Sequence, residues 1–469
     1  MGVDGRTSTA PGTVFIVGAG PGPGDLITVR GLRVLQRADV VIADELLPRS
    51  FFEDLDLTLP ADRVIWREDG ERSLSQAEVN ELLVGHALEG RTVVRLKGGD
   101  PGVFGRGWEE AALLSSHRIP WQIIPGLTAG TALPALAGLS LTHRGEGRSV
   151  ALATGRLRRG ALNHDLPRAD SLVLYMSVSG LPELTERLLA TGWAPGTPAA
   201  IIERGGLPWE RRFARSLAEI ARIASDADLR SPSLIIVGEA ARRRVDQPLV
   251  LFTGLDPSNF RTLGDLTHWP ALQIVEAPDA EARVEQAIES LQAGPQSTVV
   301  FTSKVGVRAF FRAAGAGWDD LGLPSETRVI AAGPATGEVL RRHGVTRVLS
   351  PGTLGATGVL DLLSGRHTGN CILVQGAQAD GDLARRLDGR FDSVTRLSLH
   401  RAVTHPELGA VPLPDHDAIF FTSPSGVRAY HHEFGAAAFR RDVLCIGEPT
   451  RAALRALGVD GKVVYPDAS

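Results

Sequence analysis

Residues 14–28, VFIVGAGPGPGDLIT, are the stretch from which the fold of this chain is best approached. A short apolar strand runs into a loop with four glycines and two prolines, and a helical pattern follows. A strand, a glycine-rich loop and a helix in this order are typical of α/β folds, where the loop backbone can approach a bound ligand closely. The stretch therefore predicts a ligand site at the carboxyl end of the first strand.

A dinucleotide-binding fold is one interpretation of this loop. Gly18 and Gly20 follow the strand, and Asp44 ends the run ADVVIAD about twenty residues later, where such folds place a ribose-binding acid. The third glycine of that fingerprint is expected where this chain has Pro23. Proline has no N–H to donate and prevents the same close helix packing. An NAD-dependent redox enzyme therefore remains only as a distant alternative.

Strand-like and helical patterns alternate through residues 13 to 240, which predicts α/β layers. A basic stretch that ends in proline, EAARRRVDQP, then precedes the new apolar strand LVLFTG. Such a stretch is typical of an inter-domain joint. We place the joint near Val245, with one domain over 13–244 and a second over 246–469.

The second domain contains an internal repeat. VVFTSKVGVRAFF from residue 299 returns as IFFTSPSGVRAYHH from residue 419, and VIAAGPATGEVL from residue 329 matches VLCIGEPTRAAL from residue 443. The repeat predicts two similar lobes with a cleft. In each copy a strand ends on Thr-Ser just before a helix, which suits either an anion site or simple helix capping.

Composition narrows the classes of partner. Fifty basic residues against 54 acidic ones give a net charge of −4, and aromatic residues make up 5% of the chain. This balance argues against a nucleic-acid groove. The two cysteines, Cys371 and Cys445, lie in apolar runs and predict neither a disulfide framework nor a metal site. Because no run is long enough to span a membrane and no signal peptide is visible, we expect a cytoplasmic protein without a membrane partner.

Several motifs occur in a fixed order: VGAGPG, ADVVIADELL, VVRLKGGDPGVFGRGWEEA, IIPGLTAGTALPALAGLSLTHRG, VLYMS and PSLIIVGE. Together, over about residues 13 to 240, they resemble the uroporphyrinogen-III C-methyltransferases of the tetrapyrrole methylase family. The resemblance implies two α/β lobes with S-adenosylmethionine bound between them. It also implies transfer of two methyl groups to uroporphyrinogen III, giving precorrin-2, and a homodimer formed through this half.

The same resemblance assigns residues. It implies a methyl-donor pocket lined by Pro21, Gly98, Gly99, Asp100, Val103, Thr128, Ala129, Met176 and Gly205. It also implies a catalytic set, with Asp44 as proton acceptor, Arg106 and Glu109 holding the macrocycle and helping to move a proton, and Arg144 clamping a carboxylate arm. A surface ion pair is the alternative for Arg106 and Glu109, and ordinary core packing is the alternative for Met176.

The chain departs from this family where a Gly-Lys pair is expected to supply a proton donor. Arg67 and Glu68 stand there instead. Arginine stays protonated at any working pH, so Arg67 supplies charge but is a poor proton donor.

Residues 248 to 469 resemble, less specifically, uroporphyrinogen-III synthase, through the repeat motifs quoted above. The resemblance implies two α/β lobes, one from about 246–273 and 403–469 and the other from about 279–395. It implies cyclisation of hydroxymethylbilane to uroporphyrinogen III by positioning rather than by side-chain chemistry. The implied cleft residues are Thr302, Ser303, Thr336, Thr422, Ser423 and Thr450.

Two features leave alternatives open for this half. His400 stands where many synthases carry Tyr, and the opening strand LFTGLDP lacks the frequent Arg-Pro. A non-catalytic ligand-sensing or scaffold module is therefore the alternative to an active synthase. Siroheme, cobalamin and heme d1 all stay open as end products.

Overall fold

The computed structural model describes residues 10–55, 57, 59–69, 72–157, 160–242, 247–293, 297–315, 317–353, 355–379 and 381–465. Both halves of the chain are mixed α/β, which confirms the predicted fold class. The joint predicted near Val245 lies outside the described residues. No helix of the described chain combines the length and the apolar character that a bilayer crossing needs.

The first half alternates strands and helices from end to end. Its strands are β1 (Val14–Gly18), β2 (Val40–Ala43), β3 (Val64–Trp66), β4 (Glu68–Asp69), β5 (Arg72–Ser73), β6 (Val93–Lys97), β7 (Trp121–Ile124), β8 (Val150–Thr154), β9 (Ser171–Tyr175), β10 (Pro198–Glu203), β11 (Arg211–Ser216) and β12 (Ser233–Gly238). Its helices are α1 (Val29–Leu35), α2 (Phe51–Asp54), α3 (Gln76–Leu88), α4 (Gly107–Ser116), α5 (Ala129–Leu136), α6 (Leu181–Ala190) and α7 (Leu217–Asp226).

The second half continues in the same manner. Its strands are β13 (Leu249–Phe252), β14 (Asp265–His268), β15 (Leu272–Glu276), β16 (Thr298–Phe301), β17 (Arg328–Ala331), β18 (Val348–Leu349), β19 (Asn370–Val374), β20 (Ser393–Leu397), β21 (His400–Thr404), β22 (Ala418–Phe421), β23 (Asp442–Cys445) and β24 (Lys462–Val463). Its helices are α8 (Ala280–Gln292), α9 (Lys304–Ala314), α10 (Pro334–Arg342), α11 (Gly355–Leu362), α12 (Asp382–Leu387), α13 (Pro424–Phe434) and α14 (Gly447–Arg455).

The first sheet has the strand order β3-β2-β6-β1-β7, and its strands are parallel. Because parallel strands end at one edge of a sheet, the loops after β1, β2, β6 and β7 emerge side by side. Local sequence supports the elements around this sheet. In α3, Ser75 and Glu78 form a reciprocal capping box, and Val79, Leu83 and Ala87 share the buried face.

The second sheet has the order β11-β10-β12-β9-β8. Only β8 and β9 in it run parallel, and the other neighbours are antiparallel. A core of aliphatic side chains packs α6 and α7 against one face, and α5 packs its Leu133 among residues of the other.

The C-terminal half forms a third sheet, β14-β13-β22-β23-β24, and a fourth, β18-β17-β16-β19-β20, and both are parallel. The two copies of the repeat occupy equivalent places in them. One copy folds as β16-α9-β17-α10 and the other as β22-α13-β23-α14, with the helices starting directly after Ser303 and Ser423. The predicted pair of similar α/β lobes is thereby confirmed.

The described residues fall into two compact units. One unit contains those of Met1–Phe51, Val64–Leu272 and Thr404–Ser469, and the other contains those of Phe52–Arg63 and Gln273–Val403. The two sheets of the first half therefore share a unit with the sheet that contains β13 and β22. The sheet that contains β16 belongs to the other unit.

Candidate functional site

Three glycine-bearing loops meet where β1, β6 and β7 end. The N–H of Gly20 donates to the carbonyl oxygen of Gly99 over 3.2 Å, and the N–H of Gly99 donates back to that of Gly20 over 2.7 Å. A Cβ added to Gly126 would lie 2.3 Å from the Gly99 oxygen, so only glycine fits there. The loop that follows the first strand is thus one wall of a cradle lined by backbone.

Asp100 fixes the shape of this cradle. One carboxylate oxygen accepts the N–H of Gly102 over 2.7 Å, and the other accepts the N–H of Gly126 over 2.9 Å. The carboxylate therefore ties the loop after β6 to the loop after β7. The family resemblance places Asp100 in the lining of the methyl-donor pocket, and in the structure both of its carboxylate oxygens hold the walls together.

Tyr175 is a member of the site that the sequence did not single out. Its hydroxyl lies 2.7 Å from the Oγ1 of Thr128 and accepts the N–H of Gly130 over 2.6 Å. Burial raises the pKa of this phenol, so it remains a neutral hydrogen-bonding group. Its ring packs against Phe104, with centroids 4.9 Å apart. The tyrosine joins the end of β9 to the start of α5 and could be identified only through this tertiary contact.

The remaining predicted donor-pocket residues lie on these same loops. Pro21 lies in the opening loop, Gly98 and Val103 flank Asp100, and Ala129 begins α5. Met176 follows β9 with a φ of 53° and an exposed side chain, so it is a surface residue rather than a core one.

Gly205, in the loop after β10 of the second sheet, also lies next to these loops. It is buried after β10, where an added Cβ would lie 2.7 Å from the Leu133 side chain of α5. The next residue, Gly206, has a φ of 75° and approaches Pro23 of the opening loop. All the loops that the sequence assigned to a methyl-donor pocket therefore contact one another within one unit.

A buried ionic cluster of four residues lies beside the cradle, and only one of the four, Asp44, was predicted from the sequence. Arg95 and Lys97 project from β6, and both bind the same oxygen of Glu110 in α4, at 3.2 Å and 3.1 Å. Arg95 also reaches Asp44 after β2, over 3.4 Å. All four residues are buried, so two cations and two carboxylates balance their charges away from water. The sequence signal for this cluster was the run VVRLK, in which charged residues occupy alternate positions of an otherwise apolar strand.

Asp44 is the one predicted catalytic residue inside this cluster. Burial alone would raise the pKa of its carboxyl, but Arg95, Lys97 and Arg67 outweigh burial and lower that pKa. Arg67 lies 3.5 Å from it, so an arginine does face Asp44 near the point where the family has lysine. Burial, with Arg95 beside it, lowers the pKa of Lys97 in turn.

The other predicted catalytic residues lie on the surface. Arg106 precedes α4 and pairs with Glu109 over 2.6 Å, and their side chains are 52% and 61% exposed. Arg144 is exposed as well. The surface ion pair proposed as the alternative is therefore the arrangement in this structure, and both guanidinium groups are accessible to an anionic ligand.

The predicted synthase residues divide between the two units. Ser303 and Ser423 are helix caps, each accepting a glycine N–H of the first helical turn over 3.1 Å. Thr302 donates to the carbonyl of Val374 over 3.0 Å, and Thr422 holds the equivalent place in the other copy. Thr336 and Thr450 are buried in the first turns of their helices. The two serines therefore do what the capping alternative predicted.

His400, which replaces an expected tyrosine, is buried at the start of β21. Burial lowers the pKa of its imidazole. Its Nε2 would lie 3.3 Å from a Cβ added to Gly376, so ring and loop backbone are closely packed.

Two family models match the chain. Residues 13–221 match the model of the Tetrapyrrole (Corrin/Porphyrin) Methylases, and residues 263–469 match the model of Uroporphyrinogen-III synthase HemD. These matches agree with the resemblances drawn from the motifs and fall on the two halves in the same order.

Several individual proteins are similar to parts of this chain. A siroheme synthase from Azotobacter vinelandii is 43% identical over 247 residues, which cover 51% of this chain and 52% of that protein. The chain thus spans about half the length of the curated relatives it matches. A uroporphyrin-III C-methyl transferase from Thermus thermophilus, solved with S-adenyl homocysteine, is 36% identical, with a TM-score of 0.42 and coverage of 49% and 94% of the two chains. A mutant uroporphyrinogen III synthase, also from Thermus thermophilus, is 21% identical, with a TM-score of 0.34 and coverage of 47% and 93%.

Proposed function

We propose that this chain, whose residues 13–221 belong to the tetrapyrrole methylases and whose residues 263–469 belong to the uroporphyrinogen-III synthases, performs two consecutive steps of tetrapyrrole synthesis. The second half cyclises hydroxymethylbilane to uroporphyrinogen III. The first half methylates that product twice, giving precorrin-2. The observation that carries the proposal is the presence of both families in one chain, because the product of one is the substrate of the other.

The glycine cradle is the binding site for the methyl donor, S-adenosylmethionine. When bound, the donor supplies an electrophilic methyl group on a sulfonium sulfur. The residues present fit it, because walls of backbone at Gly20, Gly99 and Gly126 leave no Cβ in the way and bring backbone polar groups close to a nucleoside. Asp100 keeps those walls in place through its two backbone hydrogen bonds.

Asp44 handles the charge that methylation creates. Methylation of a substituted pyrrole carbon leaves the macrocycle cationic until a proton is lost. The lowered pKa keeps Asp44 ionised at neutral pH, which suits it to stabilise this cation. The same shift makes Asp44 a weaker base for the proton that the family resemblance has it accept. Arg67 adds charge beside it and does not act as a proton donor.

Arg106 and Arg144 bind the carboxylate arms of the substrate. Uroporphyrinogen III has eight carboxylates, and guanidinium groups recognise carboxylates through two parallel hydrogen bonds. Since both side chains are exposed, neither must break a buried contact to bind. Glu109 orients Arg106 by accepting two hydrogen bonds from its guanidinium group.

The synthase half acts by positioning. Loss of water from the bilane gives an electrophile, and the enzyme must fold the chain so that the last ring attacks in inverted orientation. Thr302, Thr336, Thr422 and Thr450, with the backbone around the capping residues Ser303 and Ser423, hold the carboxylates in this proposal. A non-catalytic sensing or scaffold module is the competing proposal, and the capping roles of the two serines favour it.

Incubation of the full chain with hydroxymethylbilane, with and without S-adenosylmethionine, tests both steps. We expect the type III isomer without the donor and a dimethylated product with it. Formation of the type I isomer alone would contradict the synthase step and favour the non-catalytic module. Failure to methylate added uroporphyrinogen III would contradict the methyltransferase step.

The assembly and location belong to the same proposal. We expect a cytoplasmic homodimer formed through the first half, with tetrapyrroles rather than nucleic acid as ligands. Light scattering coupled to size exclusion measures the mass of the full chain, and a monomer would contradict the dimer.

A further inference from the structure

The loop that carries Gly205 runs from the donor cradle into the C-terminal half. It connects β10 to β11 over residues 204–210, and we call this connection together with the first two residues of β11, residues 204–212, the bridging loop. At its cradle end, Gly205 packs on Leu133, and Leu207 lies so close to Gly22 of the opening loop that an added Cβ there would be 2.7 Å away. The conformation of this loop therefore sets one side of the cradle.

At its other end the bridging loop is part of the core of the third sheet. Trp209 is 1% exposed and belongs to the apolar cluster under β13 and β22. Its ring contacts Trp269 with centroids 4.6 Å apart and His405 at 4.9 Å. The backbone N–H of Trp209 donates to the carbonyl of His268 over 2.9 Å. A tryptophan from the methylase half thus completes the core of a synthase-half sheet.

Two ion pairs flank this tryptophan. Arg212 binds both carboxylate oxygens of Asp265, at 2.8 Å and 2.7 Å, and the pair is largely buried. Arg204 binds Glu407 over 3.0 Å. Both contacts to Asp265 come from one guanidinium nitrogen, Nη1, and charge-assisted hydrogen bonds of this kind are about twice as strong as neutral ones. The bridging loop is therefore held at Arg204 and at Arg212, on either side of Trp209.

One residue links the anchored part to the cradle. Glu210 pairs with Arg212 through one oxygen and accepts the N–H of Gly206 over 2.5 Å through the other. The connection runs from Asp265 through Arg212 and Glu210 to Gly206, which contacts Pro23 of the opening loop. Each step is a direct contact between buried or half-buried groups.

The bridging loop also needs this support. Arg204 has a φ of 52° and Trp209 a φ of 65°, a region that side-chain-bearing residues adopt at a cost of about 1–3 kcal/mol each. Such conformations persist where surrounding contacts over-determine them. For Trp209 those contacts come from His268 at the end of β14 and from Trp269 directly after it, and for Arg204 they include Glu407.

We propose that the third sheet, which belongs to the synthase half, is a positioning element of the methyl-donor site. It holds the bridging loop in the shape that binds S-adenosylmethionine, so residues far from the cradle set donor affinity. The proposal rests on the proposed function of the cradle and adds its control by the other half of the chain. Because coupling between two sites is reciprocal, donor binding also stabilises the third sheet.

The test measures donor affinity by titration calorimetry in full-chain variants of the synthase half. Asp265→Asn removes the charge that holds Arg212 and keeps the size of the side chain, and Trp269→Leu removes the ring under Trp209. Phe260→Leu is the control, because Phe260 packs on Phe252 and Phe420, on the opposite face of the same sheet. We expect the dissociation constant to rise about fivefold or more in the first two variants and less than twofold in the control.

Each result has a distinct meaning. A purely structural contribution lowers the unfolding temperature of all three variants and leaves affinity unchanged, which overturns the inference. An equal loss of affinity in the control overturns it as well. If Trp269→Leu does not fold, Asp265→Asn decides. If the unaltered chain does not bind the donor, the proposed function fails and the inference fails with it, whereas normal binding with unaffected variants refutes the inference alone.

Discussion

Replacing Glu110 by Gln tests the buried ionic cluster beside the cradle. Glu110 is 1% exposed and is the shared partner of Arg95 and Lys97, so the change leaves two buried cations opposite one carboxylate, Asp44. Breaking a buried ion pair by removing one partner costs about 3–5 kcal/mol. The glutamine carbonyl still accepts a hydrogen bond, so we expect the lower end, about 3 kcal/mol.

The matched control is the adjacent residue, Glu109, changed in the same way. Its side chain is 61% exposed and pairs with a half-exposed Arg106, and pairs of this kind contribute up to about 1 kcal/mol. In a domain of 150–250 residues, 1 kcal/mol corresponds to roughly 2–4 °C in the unfolding temperature. Scanning calorimetry should therefore show a fall of about 6–12 °C for Glu110→Gln and at most about 4 °C for Glu109→Gln.

The pH dependence of this difference gives a second check. Without Glu110, the depressed pKa of Lys97 falls further, so the unfolded state binds more protons than the folded state between that pKa and the ordinary lysine value. Stability of Glu110→Gln relative to the unaltered chain should then rise as the pH is raised towards the ordinary lysine pKa of 10.5. Equal temperature shifts in the two variants, or a relative stability that falls with pH, would refute the buried-charge reasoning.

Three further changes have defined outcomes. Burial lowers the pKa of His268 from 6.5 to about 4, so the stability that the neutral imidazole contributes is fully present above pH 6.5 and is lost as the pH falls towards 4. The urea midpoint of His268→Gln should therefore fall less steeply over that window than the midpoint of the unaltered chain, and an unchanged slope would contradict this. Asp100→Ala frees two backbone N–H groups of the cradle and should raise the dissociation constant of the methyl donor at least tenfold, measured by calorimetry. Arg106→Ala should leave that constant within twofold and abolish turnover. Equal effects of the two variants on donor affinity would refute the division of roles. Gly126→Ala places a methyl group 2.3 Å from the oxygen of Gly99 and should also weaken donor binding at least tenfold, and normal affinity would show that the cradle is not tight there.

The alternation of strands and helices could be predicted because it depends on local pattern. Apolar runs such as VFIVG and VVIA need burial on both faces, which a parallel sheet between helices provides. The internal repeat could also be predicted, because both copies place a Ser at the start of a helix, where its Oγ caps the first turn.

The buried cluster could not be predicted in the same way. Glu109 and Glu110 are neighbours of the same chemistry in GWEEAALL, and nothing local distinguishes them. The rotation of α4 on the sheet turns one towards Arg95 and the other into solvent. Which of the two neighbours becomes buried depends on how the helix packs on the sheet, so only the folded structure shows it.

Trp209 shows even more clearly what a local sequence pattern cannot predict. In GGLPWERR it lies in an irregular loop without period, yet it completes an apolar core built from residues about 40 to 240 positions later. Under the proposed function, a flexible tether between the two halves would raise only the local concentration of their shared intermediate. A core that Trp209 shares with β13 and β22 does more, because a ligand that orders one part of it changes the free energy of the other part. The proposed function and this shared core together give one step a route to affect the other, and the side chains that would transmit the effect are Trp209, Arg212 and Asp265.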